Sequence, residues 1–176
     1  MQTKDRLIAV FAVALLVVLG VVWFMPTGLQ QAPAVTLPGI NGNKVSLADY
    51  RGRPHIVTFW ATTCPGCIKE IPHLVKLHQD YASRGFDIVA ISMAYDPPSQ
   101  VITLVRKRQL PYTIAMDLEG EAARAFGDVQ LTPTNFLIGP DGRILHRKIG
   151  EYTEQDMAML RQKIESYLVH TGQQTS

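Results

Sequence analysis

Cysteine is scarce in this chain of 176 residues: there are two, Cys64 and Cys67, with two residues between them. Histidine is sparse too, at positions 55, 73, 78, 146 and 170, and no pair has the H-x3-H spacing of a zinc site. A structural zinc needs four thiolates or imidazoles. No second C-x-x-C exists, and His73 and His78, five apart, fall off a shared helix face. The pair therefore reads as a redox dithiol that cycles to a disulfide and needs no further ligand or cofactor. Formal net charge is only +2, with Lys and Arg dispersed, so nothing points to nucleic acid. The cluster Arg106-Lys107-Arg108 reads as the wet end of a helix.

Charge is missing altogether between Arg6 and Lys44. Within that gap residues 7–25 are almost wholly apolar, long enough for a transmembrane helix. Lys4 and Arg6 precede it, an asymmetry that keeps residues 1–6 cytoplasmic and exports the rest. Ala32-Pro33-Ala34 has the form of a signal-peptide cleavage site, but the apolar run exceeds a signal core and ends well before it. The expectation is an uncleaved anchor at 7–25, a linker at 26–34, one domain at 35–170 and a tail at 171–176.

What is there centres on Trp60-Ala61-Thr62-Thr63-Cys64-Pro65-Gly66-Cys67. Upstream, His55 to Trp60 is a β-branched and aromatic run that predicts a buried strand. Downstream, Ile68, Ile71, Leu74, Val75, His78 and Tyr81 recur at helical spacing. The cysteines thus sit at a strand-to-helix junction, with Pro65 suited to the first helical position. Cys64 would face free backbone N–H groups and the positive end of the helix dipole, which favour a thiolate nucleophile. Cys67, one turn on, is placed to attack a mixed disulfide at Cys64. Pro72 should kink the helix.

The remaining pattern predicts a hairpin about Asn41-Gly42-Asn43 and a central strand over 86–93. A helix over 99–109 and a short strand over 112–115 follow. A short helix over 121–126, a hairpin of 136–138 with 144–149, and a last helix facing inward through Met157, Leu160, Ile164 and Leu168 complete the chain. This order implies an α/β domain with a central mixed sheet flanked by helices.

Phe59-Trp60-Ala61-x-x-Cys64-Pro65-x-Cys67, with Glu70 and Pro72, resembles the thioredoxin superfamily. Within it the match is to the membrane-anchored TlpA/ResA-like thiol–disulfide oxidoreductases of the bacterial cell envelope. Leu47-Ala48-Asp49-Tyr50-Arg51-Gly52 and Leu131-Thr132-Pro133-Thr134-Asn135-Phe136-Leu137-Ile138 extend the similarity from about Ala32 to Leu168. The resemblance implies a thioredoxin-like fold carrying an insertion over about 97–115. It implies a catalytic Cys64, Cys67 and Glu70, and a substrate-binding Trp60, Pro65, Gly66, Thr132 and Pro133, with Pro133 in the cis form. Thr132 would pair its backbone with a substrate chain as an added strand. Where plain thioredoxins carry a buried aspartate this chain has Thr58, which leaves Glu70 as the candidate acid/base. Gly66 offers no side chain to clamp a partner, and Thr63 stands where many relatives have tryptophan.

The implied activity is reduction of disulfides in exported proteins, apocytochrome c among them, on the periplasmic side of the inner membrane. A membrane dithiol transporter would supply the electrons. Two alternatives share the fold. One is a dithiol oxidant, since an oxidising compartment does not fix direction. The other is a Cu(I) metallochaperone, disfavoured because such relatives space their cysteines C-x3-C and add a histidine. A peroxidase would want Pro-x-x-x-Thr-x-x-Cys, which Trp60 and Ala61 interrupt.

Overall fold

The computed structural model describes residues 30–173. The expected cytoplasmic segment, the anchor and linker residues 26–29 lie outside the described residues, as do 174–176 of the tail. Among the described residues, no helix is long and apolar enough to cross a membrane.

Two short strands, β1 (Thr36–Pro38) and β2 (Lys44–Ser46), form the expected antiparallel hairpin, with Leu37 opposite Val45. Its turn passes through Gly42 at φ +78°, a conformation glycine adopts without strain. The main sheet has five strands in the order β5-β4-β3-β6-β7. These are β3 (His55–Trp60), β4 (Asp87–Ser92), β5 (Thr113–Met116), β6 (Thr134–Ile138) and β7 (Ile144–Ile149). β3 runs parallel to β4, and β4 to β5, while β6 lies antiparallel to both β3 and β7. The helices are α1 (Pro65–Tyr81), α2 (Pro98–Arg108), α3 (Glu121–Ala125) and α4 (Glu154–Gln173).

Every residue of β3 is buried, as its unbroken β-branched and aromatic run requires of a strand covered on both faces. Side chains alternate between those faces. Ile56 and Trp60 join Leu74 and Leu77 of α1, Val101 of α2 and Leu160 of α4 in one core. Val57 and Phe59 join Leu37, Val45, Phe126 and Phe136 in the other. Among the described residues, α1, α2 and α4 thus cover one face, and α3 flanks the other together with the β1–β2 hairpin.

Element ends differ from expectation by one or two residues. β4 excludes Phe86 and Met93, α2 is closed by Gln109 in the left-handed region, and β6 begins at Thr134. α1 is assigned as helix without a break through Pro72. Residues 30–32, read from sequence as linker, are tied to the sheet. The Ala32 N–H donates to the Gly142 carbonyl, and the Gln30 carbonyl accepts from the Ile144 N–H. α4 runs on through the start of the expected tail.

Candidate active site

β3 ends at Trp60 and α1 starts at Pro65, so the intervening turn brings Cys64 to the mouth of the helix. Cys64 is its N-cap and Pro65 fills the first turn, where a missing N–H leaves no bond unmade. The two cysteines form a disulfide with Cα atoms 5.3 Å apart. The backbone N–H of Cys67 donates to the Cys64 sulfur at 3.1 Å. That N–H and the helix dipole are the groups that stabilise negative charge on a thiolate. Cys64 is partly exposed, whereas Cys67 is 3 % exposed and belongs to the core.

The turn is pinned from β4's side. Asp96, 3 % exposed, accepts from the Thr62 N–H and hydroxyl, each at 2.6 Å. Across the turn, Thr132–Pro133 is a cis peptide bond at the entrance to β6. Pro133 is buried, Thr132 is partly exposed, and the Tyr95 hydroxyl lies 3.5 Å from the Thr132 hydroxyl. Tyr95, Leu118, Leu131 and Ile149 are exposed large apolar side chains. All four follow or flank strand ends on the edge of the sheet that carries the disulfide: the ends of β4, β5 and β7 and the approach to β6. Trp60 is buried behind the disulfide.

Gly66 is not in open space. A Cβ there would meet the Glu151 side chain at 3.0 Å, so the loop after β7 lies against the C-x-x-C turn. Glu151 also approaches Lys69 at 3.9 Å, an exposed pair of little energetic weight. The sequence shows only that Gly66 lacks a side chain; in the fold, that lack makes room for Glu151.

Glu70 is 3 % exposed, one turn beyond Cys67. The Asn135 side-chain NH2 donates to its two carboxylate oxygens at 3.1 and 3.2 Å. The Tyr152 backbone N–H donates to Oε1 at 2.9 Å. Burial pushes the carboxyl up to about 7, the Tyr152 and Asn135 bonds pull against it, Glu151 adds to the rise and Lys148 opposes it. Burial and the nearby Glu70 likewise raise Tyr112 and Tyr152. A cavity of about 10 Å³, room for one water, is walled by Thr58, Trp60, Cys67, Glu70 and Tyr112. The Thr58 hydroxyl and the Trp60 indole N–H are buried with no partner among the described residues.

The structure thus gathers Cys64, Cys67, Glu70, Trp60, Pro65, Gly66, Thr132 and Pro133 at one end of the sheet. Sequence reasoning missed Asp96, Asn135, Glu151 and Tyr152. Asn135 and Tyr152 stand 65 and 82 residues from Glu70 in the chain. No cluster of three metal-ligating side chains occurs among the described residues.

Residues 29–164 match the Redoxin family. The chain is 31 % identical over 135 residues to the thiol-disulfide oxidoreductase ResA of Bacillus thuringiensis subsp. konkukian, covering 77 % of each chain. To the ResA of Halalkalibacterium halodurans it is 32 % identical, covering 72 % of this chain and 70 % of that one. Among solved structures it is similar to a thiol:disulfide interchange protein of the thioredoxin family from Chlorobium tepidum. That likeness has a TM-score of 0.71 at 28 % identity and covers 81 % of this chain and 98 % of the other.

Proposed function

The chain belongs to the Redoxin family and is a thiol–disulfide oxidoreductase of the ResA-like group, and from that premise we propose that it reduces disulfides of exported proteins through Cys64 and Cys67. The observation that carries the assignment of roles is the unequal placement of the two sulfurs. Cys64 is reachable and capped by a backbone N–H, while Cys67 is buried one turn behind it.

In the reduced protein the Cys64 thiolate attacks one sulfur of a substrate disulfide, forming a mixed disulfide and releasing the first substrate thiolate. Cys67 gives up its proton and attacks the Cys64 sulfur. The bond to substrate breaks, the second substrate thiolate leaves, and the Cys64–Cys67 disulfide is restored. Two electrons pass to the substrate; one proton comes from Cys67, and the substrate thiolates take up what further protons they need from solvent. The disulfide itself is the electron carrier, and no further cofactor enters.

Cys67 and Glu70 share the wall of the small cavity. Glu70 accepts the Cys67 proton, directly or through one water held there, and a carboxyl with its midpoint near neutrality is suited to both taking and returning it. The substrate chain lies along Thr132 and the cis-Pro133 turn as an added strand. The exposed Tyr95 and Leu131 beside that turn favour a polypeptide over a small thiol. Residues 7–25 anchor the enzyme in the inner membrane with the domain on the periplasmic side. There a membrane dithiol transporter re-reduces it, and apocytochrome c is a substrate.

The direction is tested with a peptide bearing an oxidised C-x-x-C-H pair, the haem-attachment motif of c-type cytochromes. Mixed with the reduced protein and quenched with acid, it should be found mainly as dithiol, with Cys64–Cys67 oxidised. An equilibrium lying toward oxidised peptide and reduced protein would assign the oxidant role instead.

A further inference from the structure

Among the described residues, Glu70's hydrogen-bond partners are both donors, Asn135 on one side and the Tyr152 backbone on the other. The Tyr152 N–H is fixed in the backbone and points at Oε1, so Oε1 is committed as an acceptor in either protonation state. A proton on the carboxyl therefore sits on Oε2. There it would face the Asn135 NH2, 3.2 Å away, donor against donor. An acceptor stands at the other end of the same amide: Asn135 Oδ1, buried and without a partner among the described residues.

Building on the reading that Glu70 carries a proton during exchange, we propose that Asn135 is the positioning residue that lets the buried Glu70 change protonation state. Its amide presents Nδ2 to the carboxylate and turns to present Oδ1 to the carboxylic acid. The final torsion of an asparagine side chain is broad and roughly two-fold, so the half-turn is open to it. Asn135 is fully buried in β6, and its directly opposed residue in β3 is Thr58. Directly opposed residues of antiparallel strands project to the same face. The Thr58 hydroxyl is itself buried and unpartnered among the described residues, and a hydroxyl can donate to Oδ1 in one state or accept from Nδ2 in the other.

The other titratable groups about Glu70 do not offer this. Lys148 and Glu151, from β7 and the loop after it, act on Glu70 through charge, while the phenol of Tyr112 beside β5 is kept protonated by burial and by Glu70 itself. The Tyr152 hydroxyl is buried without a partner among the described residues, and Asp156 is engaged by Thr153 and Lys148. On its own helix Glu70 faces the Cys64–Cys67 pair.

The test uses the oxidised full chain as wild type, Asn135→Leu and Asn135→Thr. Glu70 is titrated by the infrared band of its protonated carboxyl, identified by its loss in Glu70→Gln. Leucine keeps the shape and removes both bonds to the charged form, so the Glu70 midpoint should rise by about one to two pH units. Threonine keeps one group that can donate or accept, and should give a smaller rise. In wild type the Asn135 side-chain NH2 resonances should move with the same midpoint as Glu70. The pH profile of disulfide reduction should move with it across the three proteins. A Glu70 midpoint unchanged in Asn135→Leu, or Asn135 resonances flat through the Glu70 titration, would overturn the proposal. If Asn135→Leu does not fold, the threonine variant and the wild-type resonances decide alone. If Glu70→Gln leaves the pH profile of exchange untouched while the Asn135 variants still move the Glu70 midpoint, the catalytic reading of Glu70 falls and the pairing with Asn135 stands.

Discussion

Replacing Glu70 by glutamine should make the protein's stability less dependent on pH, and the window and size of the effect follow from the site. Burial lifts the Glu70 midpoint from the ordinary 4.5 to about 7. Between those values the folded protein holds a proton there that the unfolded chain has released. Stability therefore falls as pH rises through the window. Below pH 4.5 the carboxyl is neutral in both states and imposes no penalty; above about 7 it is ionised in both and the penalty is complete. At about 1.4 kcal/mol per pH unit, moving the midpoint from 4.5 to about 7 amounts to about 3 kcal/mol. The glutamine side chain has no titrating proton, so the gap between variant and wild type should widen in favour of the variant by that order between pH 4.5 and about 7. Chemical denaturation of the oxidised proteins at half-unit pH steps measures it, and the other titrating groups cancel in the difference. Stability curves that stay parallel within about 0.5 kcal/mol across the window would show that Glu70 titrates as a solvated carboxyl, and the reasoning from burial would be wrong.

Reduced protein alkylated across a pH series should lose Cys64 first, since Cys67 is buried and Cys64 is capped by a backbone N–H; peptide mass mapping reads the order. Asp96→Ala removes two charge-assisted bonds to Thr62 and should destabilise the oxidised protein by roughly 2–3 kcal/mol in denaturant unfolding. Asp156→Ala opens the reciprocal cap in which Thr153 and Asp156 bond each other's backbone N–H at the start of α4. A loss of about 1 kcal/mol near neutral pH is expected. The Lys148 and Thr153 contacts hold the Asp156 carboxyl down at about 2. Its contribution should therefore be full above about pH 3.8 and fade as pH falls toward 2, the opposite sign to Glu70. Leu77→Ala, at a fully buried α1 position, should cost about 3 kcal/mol by thermal or denaturant unfolding.

What the sequence disclosed was local or periodic. A β-branched run followed by helical spacing placed Cys64 at a helix mouth without any knowledge of the sheet. Alternation and turn residues found the β1–β2 and β6–β7 hairpins. The surroundings of Glu70 were hidden for the converse reason. Asn135 reaches it because β6 lies antiparallel beside β3, and Tyr152 because the loop after β7 folds back over α1. Neither partner leaves a mark near Glu70 in the chain. Gly66 shows in the sequence only as a missing side chain, because Glu151, which fills the space beside it, comes from the same distant loop. The pairing of residues 30–32 with Gly142 and Ile144 was likewise invisible in a stretch whose composition reads as linker. One signal was present and unused: Thr153-x-x-Asp156 ahead of an apolar helical pattern is a capping box, and it marks the start of α4.

The central claim is that Cys64 meets the substrate and Cys67 releases it. Its most direct test is to mix reduced Cys67→Ser protein with a protein disulfide, quench in acid, and locate the mixed disulfide by mass. The account predicts a stable adduct on Cys64, a transient one in wild type, and no productive turnover in Cys64→Ser. An adduct that accumulates on Cys67 in Cys64→Ser, with none on Cys64 in Cys67→Ser, would reverse the two roles and contradict the account.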